Sequence, residues 1–367
     1  MPAAIPRRVP VVIAGAGPVG LFAAARFASI GVEALLVDRR AEASTANRAI
    51  GVHPPGLAAL DAVGAGVGVR AAGVRVHRAH AWGADGPLAV IDLARSGEVV
   101  ALAQASTERL LEERLVTLGG TSPRRGIELV DLVQDAHGVD VVLRSASGEL
   151  RVRADVLVGC DGRASRVRTL LGIGGRGGGY PDRYAMFDAP RSDASDPNGD
   201  DAAIHLHRDG VVESFPLRGA RRWVVHVGAS GDGAHTGALD REPDVGSLLD
   251  TIAARVGERP RTSLDTPVSA FGIERFLAER FAHGRVALAG DAAHVVSPIG
   301  GQGMNLGWLD VEALVSAYER IGSRVGASGV VEALAEYAAR RRGRARLAIW
   351  RAECNTRLGR PTSRALA

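Results

Sequence analysis

The chain has 367 residues, 46% hydrophobic and 23% charged, with a net charge of +4. That is enough apolar material for two intimately joined domains, and no stretch approaches the roughly 20 uncharged apolar residues needed to cross a bilayer. All 45 basic side chains are arginine and are interleaved with 41 acids, which argues against a nucleic-acid partner, and the two isolated cysteines, Cys160 and Cys354, exclude a disulfide framework or a cysteine metal site.

Met1 leads through Arg7 and Arg8 straight into an apolar run with no signal-peptide core, so a cytoplasmic, reducing location is expected. Val11 to Ala14 reads as a buried strand, Pro18 to Ala28 as a helix and Val32 to Val37 as a second buried strand, together a βαβ unit. Between the first strand and the helix stands Gly15-Ala16-Gly17-Pro18-Val19-Gly20. Gly15 permits the tight turn, Gly17 lets backbone approach a pyrophosphate and Gly20 allows close helix packing, while the helix N-terminus offers N–H groups and partial positive charge. Asp38, about 20 residues on at the end of the second strand, is placed to accept a hydrogen bond from a ribose hydroxyl. An ADP-containing cofactor follows.

Further along, Arg109 to Leu118 has helical spacing, and Gly126 to Leu132, Val139 to Arg144 and Leu150 to Val158 read as strands, with a turn at Asp135 to Gly138. The strand ending at Cys160 delivers Asp161 and Gly162 to a turn, followed by a helix over Ala164 to Leu171. The glycine-rich Ile173 to Asp182 reads as a domain crossing and the polar Asp188 to Asp201 as a loop. Ala203 to His207, Val211 to Phe215 and Trp223 to Val227 then alternate as an antiparallel sheet, with His205, His207, Glu213, Phe215, Trp223 and His226 as side chains of which one face could line a cavity. Arg285 to Ala289 is a buried strand ending at Gly290-Asp291-Ala292-Ala293-His294, and Gly303 to Tyr318 and Val330 to Cys354 read as helices. The arginine run Arg340 to Arg346 is expected on a solvated helix face. Three separated motifs in this order, two of them Asp-containing turns, suggest one long cofactor held at several points, with FAD the natural candidate.

These residues resemble the class A flavoprotein aromatic hydroxylases of the p-hydroxybenzoate hydroxylase fold, across the first glycine motif, Arg48-Ala49-Ile50-Gly51-Val52, Gln104 to Leu111, Asp161-Gly162 and Arg285 to Asn305. The resemblance implies an α/β fold: a Rossmann-like FAD-binding domain over residues 1–72, 98–173 and 280–325, an inserted antiparallel-sheet substrate domain over 73–97 and 174–279, and C-terminal helices over 326–367. It implies that Arg48 reaches the flavin diphosphate, that Gln104 lies beside the ribityl chain, that Asp161-Gly162 serves FAD and the nicotinamide's approach, and that Asp291 binds ribityl hydroxyls. Pro298 would border the substrate pocket. The continuation Gly300-Gly301-Gln302-Gly303-Met304-Asn305 would set backbone N–H groups against the flavin's pyrimidine edge, stabilising negative charge there.

The chemistry so implied is hydride transfer from NADPH or NADH to FAD, addition of O2 at the flavin C4a position, and passage of a hydroxyl from the hydroperoxide to an electron-rich, usually phenolic, ring. No metal takes part. Arg39 and Arg40 are candidates for preferring NADPH through its extra phosphate. The family resemblance treats His294 as part of a structural turn, and Cys160 reads as a small core residue. Larger members carry an appended C-terminal domain that this pattern lacks, which fits a compact hydroxylase, either monomer or homodimer. The alternatives are an FAD-dependent reductase of an unsaturated substrate, a non-catalytic flavin-binding subunit, and an NAD-dependent dehydrogenase, which would leave the Asp291 loop unexplained.

Overall fold

Alternation of apolar runs with helical periods produces two large sheets joined at one seam. A computed structural model describes residues 5–43, 49–191, 198–229, 243–298, 300–322 and 327–360. In the first sheet the order is Ala282–His283, Val286–Leu288, Gly148–Gly159, Arg8–Ala14, Ala34–Asp38 and Arg124–Arg125, with Val139–Ser145 branching from Gly148–Gly159 and Glu128–Gln134 paired to Val139–Ser145. Its central pairs are parallel, and their residues Val11, Val12, Ile13, Val156, Leu157 and Val158 are fully buried, as expected where helices cover a parallel sheet.

The helix Pro18–Ser29 starts with Pro at its first turn and buries the unbroken run from Gly20 to Ala25 together with Phe27, because it is packed between the sheet and two other helices, Gln104–Thr117 and Gly303–Gly322. Trp308 of the last of these donates its indole N–H to the Pro18 carbonyl at 3.0 Å.

The second sheet runs His294–Val295, Ser269–Ala278, Gly175–Pro190, Ala220–Ala229, Val212–Leu217, Ala202–His205, Arg78–Gly83, Gly86–Asp92. It is antiparallel except for one pair, Ala202–His205 with Arg78–Gly83, which is parallel because the chain arrives there from a different part of the fold. One face packs on the helix Val245–Val256 through Phe187, Val212, Trp223 and Leu248. The other faces the first sheet.

The glycine-rich segment after Ile173 takes the chain from the helix Arg166–Leu170, packed on the first sheet, into the second sheet, and does so as the first half of the long strand Gly175–Pro190 rather than as irregular chain. Glycine stands there because a Cβ at Gly175 or Gly177 would collide with the Phe276 ring or the Arg275 carbonyl of the neighbouring strand. The loop expected next begins only after Pro190, and residues 192–197 lie outside the described residues.

The seam between sheets is the segment after Val286–Leu288. It leaves the parallel sheet, turns at Gly290–Ala292, and enters the other sheet as His294–Val295 beside Phe276 and Leu277. The helix Ala327–Leu358 braces this seam. Its Tyr337 donates to the Leu288 carbonyl at 2.6 Å and its Arg341 to Asp310 at 2.7 Å. The arginine run is therefore not uniformly solvated, since Arg341 turns inward. No helix among the described residues is long and apolar enough to cross a membrane.

Candidate active site

A cavity of about 830 Å³ opens between the carboxyl ends of the parallel strands and the inner face of the second sheet. That is where ligands bind in open α/β sheets, and the volume is at the upper end of the roughly 300–1,000 Å³ of ligand sites. Gly15, Gly17, Asp38, Gln104, Asp161, Gly162, Asp291, Pro298, Gly301, Gly303 and Met304 all line it, so motifs from Gly15 to Met304, at opposite ends of the sequence, share one wall. Gly20, Gly290 and Asn305 stand behind that wall, and Arg48 lies outside the described residues.

The three glycines of the first motif stand in three different environments. Gly15 has φ +100°, and a Cβ on it would collide with the Cys160 carbonyl; one on Gly20 would collide with the Gly15 carbonyl. A Cβ on Gly17 would meet nothing within 4 Å, because it points into the open cavity.

Asp38 is buried, and its carboxylate accepts four hydrogen bonds: from the Ala16 N–H at 2.7 Å, the Arg40 N–H at 2.8 Å, and the Arg40 guanidinium at 2.9 and 3.0 Å. Burial works to raise its pKa, but the Arg40 and Ala16 hydrogen bonds outweigh it and hold the carboxyl below its ordinary range. Two carboxylate oxygens offer about four lone-pair sites, so a ribose hydroxyl can approach only if the Arg40 guanidinium gives way.

The Asp161 carboxylate is likewise engaged, accepting from Ser165 Oγ at 2.5 Å and from the Val167 N–H at 3.0 Å, while Ser165 caps the short helix Arg166–Leu170 by accepting the Arg168 N–H at 3.0 Å. Gly162 beside it has φ +81°, a conformation that favours glycine. Arg168 from that helix donates to the Ala292 carbonyl at 2.8 Å, tying this turn to the Gly290–Ala292 turn. Asp291 is exposed on the cavity side, while Gly290 is buried with φ +61°.

Asn305 is consumed by the protein itself. Its Nδ2 donates to the carbonyls of Gly51 and Gly301 at 2.9 and 3.0 Å, and its Oδ1 accepts from the His53 N–H at 2.9 Å, so it shapes the Gly300–Gly301 loop rather than facing the cavity. His53 Nε2 lies 3.0 Å from the Gly300 carbonyl, and burial lowers its pKa. Gln104 accepts from the Ala49 N–H at 3.3 Å and donates to Glu108 at 2.8 Å. Burial raises the Glu108 pKa.

The FAD-binding-domain family model matches residues 8–352. The chain belongs to the FAD-binding family of class A flavoprotein monooxygenases. It is 33% identical over 361 residues to the 12-dehydrotetracycline 5-monooxygenase/anhydrotetracycline 6-monooxygenase of Streptomyces rimosus, covering 91% of this chain and 67% of that one. It is 31% identical over 383 residues to 4-methyl-5-nitrocatechol 5-monooxygenase of Burkholderia sp., covering 90% and 66%. The ternary complex of aklavinone-11 hydroxylase with FAD and aklavinone superposes with a TM-score of 0.80 at 25% identity, over 98% of this chain and 70% of that one. The chain thus spans about two thirds of the length of these relatives.

The cavity fits this family's cofactor. Gly15 and Gly20 leave no room for a side chain behind the nucleotide loop, Gly17 leaves open space before it, and Gly300 and Gly301, with φ +88° and +62°, turn the later loop toward the same space. Opposite lies an apolar wall of Met186, Ile204, Phe215, Val224 and Phe271 from the second sheet, interrupted by Glu213.

The structure sorts the alternating residues that the sequence left together. Glu213 and Phe215 face the cavity. Trp223 packs under the sheet, His205 stacks on Trp82 with centroids 6.1 Å apart, His226 is buried 3.3 Å from Asp182, and His207 accepts the Asp209 N–H in a turn. Sequence reading passed over His53, Glu108 and Asp310. Glu108 had a signal, standing one helical turn after Gln104, whereas His53 had none beyond preceding a proline at a helix start.

Proposed function

We propose that this flavoprotein monooxygenase uses NAD(P)H and O2 to hydroxylate a phenolic ring of a polycyclic aromatic compound. The observation that supports this most is the continuity of the cavity from the nucleotide loop to the apolar sheet wall, which lets one long cofactor and a flat apolar substrate share an enclosure. Relatives named for tetracycline-type and nitrocatechol substrates support an aromatic ring, and those named for fused-ring compounds favour the larger class.

When bound, FAD takes hydride from NAD(P)H and passes one atom of O2 to the substrate. The backbone N–H groups following Gly15, at the start of Pro18–Ser29, would hold its pyrophosphate, and Asp38 its ribose once Arg40 moves aside. Gln104, Asp161 and Asp291 would line its ribityl side, and Arg48 would meet the diphosphate. Gly301, Gly303 and Met304 would present backbone to the flavin edge, and Pro298 would border the substrate. Met186, Val224 and Phe271 exclude water from the reacting ring, which strengthens every polar interaction made there. A cytoplasmic location belongs to the same reading, supported by the dependence on NAD(P)H.

The test is turnover with NAD(P)H under isotopically heavy O2 against a panel of phenols and fused-ring phenols, read by product mass. One heavy oxygen per product is the expected result. Cofactor oxidation with an unlabelled, reduced product would replace this reading by a reductase.

A further inference from the structure

Among the described residues Glu213 is the one buried acid on the sheet wall of the cavity, and its surroundings do not explain it. Register places it in a single cross-strand row, with Ile204 paired to it on one side, Val224 on the other, and Met186 beyond Val224. Phe215, two residues along, lies on the same face. The side chain is 6% exposed, and it has neither hydrogen bond nor ion pair with any described residue. Lone buried carboxyls are costly, and those kept in a cavity are candidates for work there.

The charged and titratable groups nearby do not neutralise it. From Gly175–Pro190, Tyr184 faces it with a fully buried hydroxyl that also has no partner; from Ala220–Ala229, the strand between the two, Arg222 is held bidentate by Asp188 at 2.7 and 2.7 Å. His205, adjacent on the next strand, points to the opposite face beside Trp82. Glu274 and Arg163, elsewhere on the cavity rim, pair loosely with each other at 3.7 Å.

We propose that Glu213 is the group on which the substrate's ring hydroxyl docks, and that its Oε takes the hydroxyl proton as the ring is hydroxylated. This rests on the monooxygenase reading above and assigns the base that it lacks. The step is a proton transfer: the phenolic O–H bond breaks, its electron pair stays on the ring oxygen, and a carboxyl O–H bond forms. The resulting phenolate is richer in electrons at the positions beside and opposite the oxygen, where an electrophilic oxygen atom is accepted. Burial supports the assignment, since it raises the Glu213 pKa to about 7 and so brings the carboxylate closer to a phenol in basicity than an exposed glutamate would be.

The experiment uses FAD-loaded protein and two probes, 2-hydroxyanthraquinone and its methyl ether, with affinities measured by titration calorimetry between about pH 5 and about pH 9. Wild type is expected to prefer the hydroxyl compound by about tenfold to a hundredfold, with the preference growing as pH rises through about 7. In Glu213→Gln the pH dependence disappears and the preference collapses, whereas Glu213→Asp, which keeps a retracted carboxylate, retains part of both. Heavy-oxygen turnover is measured on the same preparations, and the rising limb of kcat/KM near pH 7 should vanish in Glu213→Gln. Unchanged preference and pH profile in Glu213→Gln, with labelled product still formed, overturns the Glu213 assignment and leaves the monooxygenase standing. A Glu213-dependent preference without labelled product from any phenol keeps the docking role and overturns the monooxygenase and, with it, the proton step.

Discussion

His294 Nε2 lies 2.5 Å from Asp310 Oδ2, with both side chains cut off from solvent. The same Oδ2 accepts the Gly290 N–H at 3.1 Å, and Oδ1 accepts from Arg341 at 2.7 Å. One carboxylate therefore clamps both ends of the turn that presents Asp291, and fastens it to the last helix. Burial pushes the Asp310 pKa upward, but His294 and Arg341 more than offset this and keep the carboxyl ionised. The histidine in this motif is a brace, in keeping with its expected structural role.

Replacing Asp310 by Asn keeps the shape but removes the carboxylate that bonds His294 and pairs with Arg341. Removing one partner of such a buried pair costs about 3 kcal/mol or more. Thermal unfolding of Asp310→Asn should show a loss of that order together with reduced flavin content after purification. Because the folded pKa is lowered, the stabilisation is present above the ordinary carboxylate range and lost only as pH falls through the folded pKa, so the variant and wild type should converge in strong acid.

Gly17 and Gly20 should fail in different ways. Alanine at Gly17 projects a methyl into open cavity, so Gly17→Ala should unfold near the wild-type temperature but hold FAD at least tenfold more weakly. Alanine at Gly20 meets the Gly15 carbonyl, so Gly20→Ala should lose about 1–3 kcal/mol of stability. Equal stability losses in both would contradict the open approach at Gly17.

Arg39 and Arg40, adjacent in sequence, are separated by the fold. Arg40 is committed to Asp38, while Arg39 is exposed at the cavity mouth. Arg39→Glu should raise the KM for NADPH about tenfold with little change for NADH, and Arg40→Glu should instead disturb FAD affinity through Asp38. An unchanged NADPH KM in Arg39→Glu would remove this rim from nicotinamide selection.

Glu213 also carries a stability signature. Its folded pKa of about 7 exceeds the unfolded value near 4.5, so the stability linked to its proton is fully present below about pH 4.5 and is lost as pH rises to about 7. Glu213→Gln should therefore match wild type at about pH 4.5 and exceed it by roughly 2–3 kcal/mol at about pH 8, measured by denaturant unfolding at the two pH values.

Local chemistry made much of this protein readable. The strand, glycine turn and helix from Val11 to Ala28, the Asp161-Gly162 turn and the strand into Gly290-Asp291 each announce themselves within about a dozen residues, because backbone sterics and hydrophobic period act over that range. The family followed from their order. What sequence did not determine was set by pairing between distant strands and by which face each strand turns inward. That the glycine-rich Ile173 to Asp182 segment crosses as a regular strand is not legible locally, because its glycines answer to Phe276 and Arg275, a hundred positions away. Glu213 could not be told from His205, Trp223 or His226, since alternation gives two faces and only register against Val224 and Ile204 chooses between them. Asp310 found His294 only when its helix was laid against the seam. The nucleotide loop and the family are written in short segments of the chain, whereas which acid faces the cavity and which acid holds the turn depend on packing, because burial and long-range pairing are properties of the folded chain and not of any segment.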